Sequence, residues 1–120
     1  MNTSRRQKQF NQTIRRELSD LLIRHVSDPR ISGIISITEV DVSPDLKQAK
    51  VFISVMGSEK EKAEVFQGLG SASDFLRREL GGRIKMRYTP RLIFERDDSL
   101  EKAEHLLQLI DQSIADSPEN

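Results

Sequence analysis

An α+β fold is the prediction for this chain of 120 residues: a two-layer sandwich in which helices cover a three-stranded sheet. Three observations carry it. Apolar residues recur at helical spacing in three segments, they alternate with polar residues in three others, and the segments follow in the order helix, strand, strand, helix, strand, helix. One domain over residues 1–116 is expected, followed by a short polar tail at 117–120, because two units would each be too short for a substantial core.

Thr3 or Ser4 can cap the first helix, which Phe10, Ile14, Leu18, Leu21, Leu22 and His25 carry to about Val26 before Asp28-Pro29 stops it. From Gly33 the period becomes two. Ile35 and Ile37, then Val40 and Val42, read as a strand whose apolar phase slips near Thr38-Glu39, which predicts a bulge. Ser43-Pro44-Asp45 is turn chemistry, and Ala49, Val51, Ile53 and Val55 return as the second strand of an antiparallel hairpin.

Ser58 and Glu61 match a capping box for the second helix, with Ala63, Phe66, Leu69, Ala72 or Ser73, Leu76 and Leu80 on its buried side. Gly68 and Gly70 each cost about 1 kcal/mol of helix propensity relative to alanine, so a kink or break is expected between Gly68 and Ser73. Gly81-Gly82 should end the helix. Residues 84–95 read as the third strand, with Ile84, Met86, Tyr88, Leu92 and Phe94 in the core phase and Lys85, Arg87 and Arg91 in the other. Pro90 must then face an edge or a bulge. A last helix begins near Asp98, with Glu101 completing a capping box, and runs through Ala103, Leu106, Leu107, Ile110 and Ile114.

Composition works mainly by exclusion. Hydrophobic residues make up 36% and charged residues 32%, the profile of a globular domain. With no cysteine, disulfides, thiolate metal sites and cysteine nucleophiles are excluded, and no apolar run is long enough to span a membrane, so the cytoplasm is the expected compartment. His25 falls on an apolar helix face and His105 in an acidic helix, and neither reads as a ligand or a base. No HExxH, GxSxG or GxxxxGK[ST] occurs. Asp97-Asp98 reads as a helix-cap pair rather than a cation site. Neither an enzymatic activity nor a cofactor is expected.

Net charge is zero, yet it is segregated. Residues 1–30 carry a charge of +4 and residues 77–96 a charge of +5, while 31–76 carry −3 and 97–120 carry −6. The cations are mostly arginines, which favour bidentate phosphate contacts, and each phosphate neutralised releases counterion. The candidate RNA-binding residues are Arg5, Arg6, Arg15, Arg16, Arg30, Arg77, Arg78, Arg83, Lys85, Arg87 and Arg91. Aromatics are only 5% of the chain, and Phe10, Phe66, Phe75 and Phe94 read as core, so backbone contact with structured RNA is favoured over stacking on single strands.

Several motifs occur together in order: Asp28-Pro29-Arg30, Asp45-Leu46 followed by Ala49-Lys50-Val51, Phe75-Leu76-Arg77, Pro90 before Leu92-x-Phe94, and Asp98-Ser99. In this combination, over roughly residues 5 to 110, the chain resembles the bacterial ribosome-binding factor A family. The resemblance implies a KH-like fold of the second topological type, α-β-β-α(kinked)-β-α, with a helix-kink-helix in place of the GxxG loop of ordinary KH domains. The family's Ala-x-Gly kink falls on Ala72-Ser73-Asp74, with Gly70 just before it; the alanine matches, and Asp74 stands where the family has glycine. The resemblance further implies a non-enzymatic, monomeric assembly factor of the small ribosomal subunit. It would bind free 30S subunits and 16S rRNA, assist processing of the rRNA 5′ end, support ribosome biogenesis in the cold and be linked to a subunit-dependent GTPase. Two alternatives stand beside it: a general KH-like reader of single-stranded RNA, and a protein-interaction adaptor using the acidic last helix.

Overall fold

The computed structural model describes residues 3–24, 26, 28–31 and 35–116; the expectations for His25, Gly33 and the tail 117–120 fall outside them. Helix α1 (Arg5–Arg24) follows Ser4, whose hydroxyl accepts the Gln7 amide at 3.1 Å while the Gln7 side chain accepts the Ser4 amide at 2.9 Å. This reciprocal cap satisfies two amide donors that a helix start otherwise leaves open. Strands β1 (Ile35–Val42) and β2 (Gln48–Val55) form the antiparallel hairpin, and their register shifts between Ile37 and Glu39, as the slip in apolar phase predicts. The turn between them is held by the Asp45 carboxylate, which accepts from the Ser43 hydroxyl at 2.6 Å and the Lys47 amide at 3.0 Å. Leu46 takes a left-handed φ of 62°, a strained choice for a branched residue that its packing against the core offsets.

Helix α2 (Glu59–Arg83) carries the capping box of Ser58 and Glu61. It is continuous through Gly68–Ser73, so no break interrupts it there, and it ends at Arg83, one residue past Gly81-Gly82. Two of the helix's glycines, Gly68 and Gly81, allow close approach of other segments. A Cβ on Gly68 would lie 2.7 Å from Cγ1 of Ile31, so the Asp28–Ile31 turn is seated on the helix where a side chain is missing. The buried stripe is Lys62, Val65, Gly68, Leu69, Leu76 and Leu80. Ala63 is exposed and Phe66 only half-buried, because the stripe leading back from Leu69 follows the four-residue step to Val65.

Strand β3 (Arg91–Arg96) pairs parallel to β2 from Gln48 opposite Arg91 onward, with α2 as the crossover. Residues 84–90, expected as the start of that strand, form a loop. Upstream of Gln48 the neighbouring chain is the 43–47 turn, so alternation in 84–90 has no ladder to join. The sheet order is β1-β2-β3. Helix α1 packs on β1, α2 on β3, and the two helices touch. The core between the layers is built from Ile14, Leu18 and Leu21, from Val40, Val51 and Ile53, and from Leu69, Leu76 and Leu80. The result is the two-layer α+β arrangement expected.

Helix α3 (Ser99–Asp116) departs from that plan. Leu106 and Leu107 are 58% and 62% exposed, so the last helix does not cover the sheet. A three-stranded sheet is about 14 Å wide, and two helices of about 10 Å diameter already fill its face. The molecule is drawn out to a radius of gyration of 17.8 Å, where a compact chain of this length would reach about 14 Å. The root of α3 is fastened by charge: buried Lys62 pairs with Glu101, and Arg96 joins Glu59 to Asp98. The carboxylates of Asp98 and Glu101, expected as a capping box, thus serve as ion-pair partners.

Candidate nucleic-acid interface

The cationic surface is organised by the 84–90 loop, which several contacts hold in place. Arg77 donates from Nε and Nη2 to the Thr89 carbonyl at 3.2 and 3.0 Å, and the Arg91 amide donates to the Lys47 carbonyl at 2.8 Å. Pro90 is fully buried. A Cβ on Gly81 would come within 2.6 Å of the Thr89 hydroxyl, so the loop rests directly on the last turns of α2. This leaves Lys85, Arg87 and Tyr88 pointing to solvent.

Three adjoining grooves lie along the α2–β3 seam and this loop. The first, about 460 Å³ between α2 and β3, has Gly70, Ser73, Asp74, Arg77 and Arg91 in its walls. The second, about 730 Å³, is lined by Asp74, Arg77, Arg78, Arg87, Tyr88 and Thr89. The third, about 260 Å³, brings Arg6 and Phe10 of α1 beside Leu46, Lys47, Arg87 and Tyr88. Asp74 and Arg77 are common to the first two, and Arg87 and Tyr88 to the last two, so the grooves join into one track. Arg6, Lys47, Arg77, Arg78, Arg87 and Arg91 line it, and none of these six makes an ion pair with a carboxylate among the described residues. Asp45 and Asp74 also stand in the walls, but six cations to two carboxylates leave the track positive, and such a cluster focuses a field able to hold a polyanion even in a chain of zero net charge.

The two basic stretches therefore meet, but only through Arg6. Arg5 and Lys85 are exposed at the margins, next in sequence to Arg6 and Met86. Four of the sequence candidates lie elsewhere or are neutralised. Arg15 donates from Nε to the Ile37 carbonyl at 3.2 Å, closing the outer edge of β1, which is the sheet edge opposite β3. Arg16 lies 3.5 Å from Glu17. Arg83 pairs with both Glu17 and Asp20, and these hydrogen bonds raise its pKa. Arg30 makes a forked contact with Asp28, whose carboxyl the guanidinium and the Arg30 amide hold down at about 2. The sequence carries no sign of the Arg83 pairing, since Arg83 and its partners are more than sixty residues apart, whereas Glu17 beside Arg16 and Asp28 beside Arg30 are local.

Of the kink residues, Gly70, Ser73 and Asp74 line the first groove, while Ala72 packs half-buried against the core. Two residues of the track were not anticipated. Lys47 is a lone cation in a turn, and Tyr88, whose phase assigned it to the core, is 66% exposed.

The profile of the family Ribosome-binding factor A matches residues 6–110. The chain belongs to that family. A ribosome-binding factor A from Acetivibrio thermocellus is 48% identical over 108 residues, covering 90% of this chain and 88% of the relative. The crystal structure of ribosome-binding factor A from Thermus thermophilus has the same fold, with a TM-score of 0.66 at 23% identity over 75% of this chain and 93% of that one. A Thermus thermophilus homology model fitted into a cryo-EM map of a 30S–RbfA complex superposes with a TM-score of 0.57 at 22% identity, over 81% and 97% of the two chains.

Within this ribosome-binding factor A family member, the motifs that carry the likeness are mostly architecture. Asp28-Pro29-Arg30 is a clamped turn seated on Gly68, Asp45-Leu46 shapes the hairpin, and Leu76 fills the core while Arg77 holds the 84–90 loop. Asp97 accepts from the Ser99 amide at 2.9 Å and from the Thr38 hydroxyl, contacts that lower its pKa. Among the described residues there is no cluster able to hold a metal ion, and no helix is long and apolar enough to cross a membrane.

Proposed function

We propose that this protein is an assembly and maturation factor of the small ribosomal subunit, a KH-like domain that binds free 30S subunits by gripping 16S rRNA. The observation that carries the proposal is the continuous track of six cations that make no carboxylate ion pair among the described residues, running from β3 past the 84–90 loop to the start of α1. Family membership supports the ribosome as the source of the phosphates. Binding one conformer of the maturing subunit more tightly than others shifts the population toward it, with no chemical step required. On this reading the protein acts as a cytoplasmic monomer near the 5′ region of 16S rRNA, aids its processing and growth in the cold, and is released in connection with a subunit-dependent GTPase.

Sucrose-gradient sedimentation of a tagged copy at low magnesium tests this. The protein should travel with small subunits alone; sedimentation with neither subunit, or equally with both, would refute it. One observation favours a second reading, a protein-interaction adaptor: α3 presents Leu106, Leu107 and Ile110 to solvent on an acidic helix. Nuclease treatment separates the two, because an rRNA-held factor leaves the subunit fraction when the RNA is cut and an adaptor keeps its partner.

A further inference from the structure

We propose that Tyr88 is a stacking platform for a single unpaired nucleobase of the RNA that lies along the track; this rests on the rRNA-binding reading above and adds to it a site for a base rather than for phosphate. Four features place it there. Tyr88 is 66% exposed, whereas Phe10, Phe66, Phe75 and Phe94 are half-buried against the core. The Arg87 guanidinium carbon sits 5.5 Å from the ring centroid, backing the ring with a cation while leaving it largely open. The ring also forms part of the wall shared by the second and third grooves, with Arg77 and Arg78 on one side and Arg6 and Lys47 on the other. Phosphates on either side of an unpaired nucleotide would thus meet cations while its base meets the aromatic face.

Finally, the platform is pre-positioned. Thr89 on its C-terminal side is held by Arg77, and Pro90 is buried, so little ordering is needed when a base arrives. Stacking on an exposed aromatic is how proteins read bases that have left an RNA helix, and it tolerates any base because every base has a π face. The occupant is accordingly a bulged or loop nucleotide beside a helix.

The chain has one tyrosine and no tryptophan, so tyrosine emission from the intact protein reports Tyr88 alone. The probes are two RNA hairpins, one fully paired and one with a single-nucleotide bulge, titrated into wild type, Tyr88→Leu and Tyr88→Phe, with free tyrosine amide as the absorption control. The expected result is that wild type prefers the bulged hairpin by about tenfold, its emission is quenched by that hairpin only, Tyr88→Leu loses the preference and Tyr88→Phe keeps it. An unchanged melting temperature in Tyr88→Leu confirms that the fold is intact. If wild type binds both hairpins equally and Tyr88→Leu matches it, the platform is overturned while RNA binding stands. If Tyr88→Leu loses 30S binding yet reads both hairpins as wild type does, the ring contacts a protein and the inference also fails. Binding to neither hairpin nor 30S subunits overturns this inference together with the function on which it rests.

Discussion

Asp28 shows how much of this surface is decided by single pairings. Its folded pKa of about 2 lies below its ordinary value of 3.8, so the ionised carboxylate favours the folded state. The stabilisation is complete above about pH 4 and is lost as the pH falls toward 2. Asp28→Asn should therefore be less stable than wild type at pH 7, with the gap in urea midpoint closing between pH 4 and pH 2; a gap unchanged over that range would show that the clamp contributes nothing. Asp74 is the opposite case, a carboxylate in the walls of two grooves among the track's arginines. Asp74→Asn removes its repulsion of phosphate and should tighten binding to 30S subunits about two- to fivefold, the effect of one exposed charge at close range. Equal affinity in a filter assay would place the RNA elsewhere. At this scale the sequence was only partly legible: arginine content was plain, but whether an arginine makes no ion pair among the described residues, as with Arg78, or is occupied, as Arg83 is, depends on partners brought close by folding.

The elements were far easier to read, because hydrophobic period and capping residues act locally. The Ser58–Glu61 box, the slip at Thr38 and the hairpin all form as their residues predict. What local signals missed was tertiary. Alternation in 84–90 lacks a partner strand, and within α2 Gly68 serves packing rather than helix breaking. That second point gives a paired test by thermal melting. A Cβ on Gly70 meets nothing within 4 Å, so Gly70→Ala should stabilise by up to about 1 kcal/mol, whereas Gly68→Ala must push Ile31 aside and should destabilise by about 1 kcal/mol or more. A second test concerns α3. Leu106→Ser with Leu107→Ser should change the unfolding free energy by no more than about 0.5 kcal/mol, while Leu76→Ala, in the core, should cost about 2–5 kcal/mol. Comparable losses in both would mean that α3 packs on the domain after all.

For the whole molecule, charge is sorted by position rather than by total. Among the described residues, Glu101, Glu104 and Asp111 sit on a helix that stands away from the sheet, while Arg77, Arg78, Arg87 and Arg91 gather on the side of the grooves beside α2, β3 and the 84–90 loop. The first basic stretch reaches that side only at its start, so the convergence implied by two separate runs of arginine is narrower in the folded protein than along the chain. Membership in the ribosome-binding factor A family, by contrast, was legible from motif order, since those motifs encode the turns and contacts that build the fold. The central claim is that the loop-side track, and not arginine content as such, grips rRNA. Its most direct test is the salt dependence of 30S binding for wild type, Arg87→Ala and Arg83→Ala. Arg87→Ala should lower the slope of log K against log salt by about 1, the signature of one lost phosphate contact, while Arg83→Ala, already neutralised by Glu17 and Asp20, should keep the wild-type slope. Equal slopes for all three proteins, or the larger change in Arg83→Ala, would contradict the account.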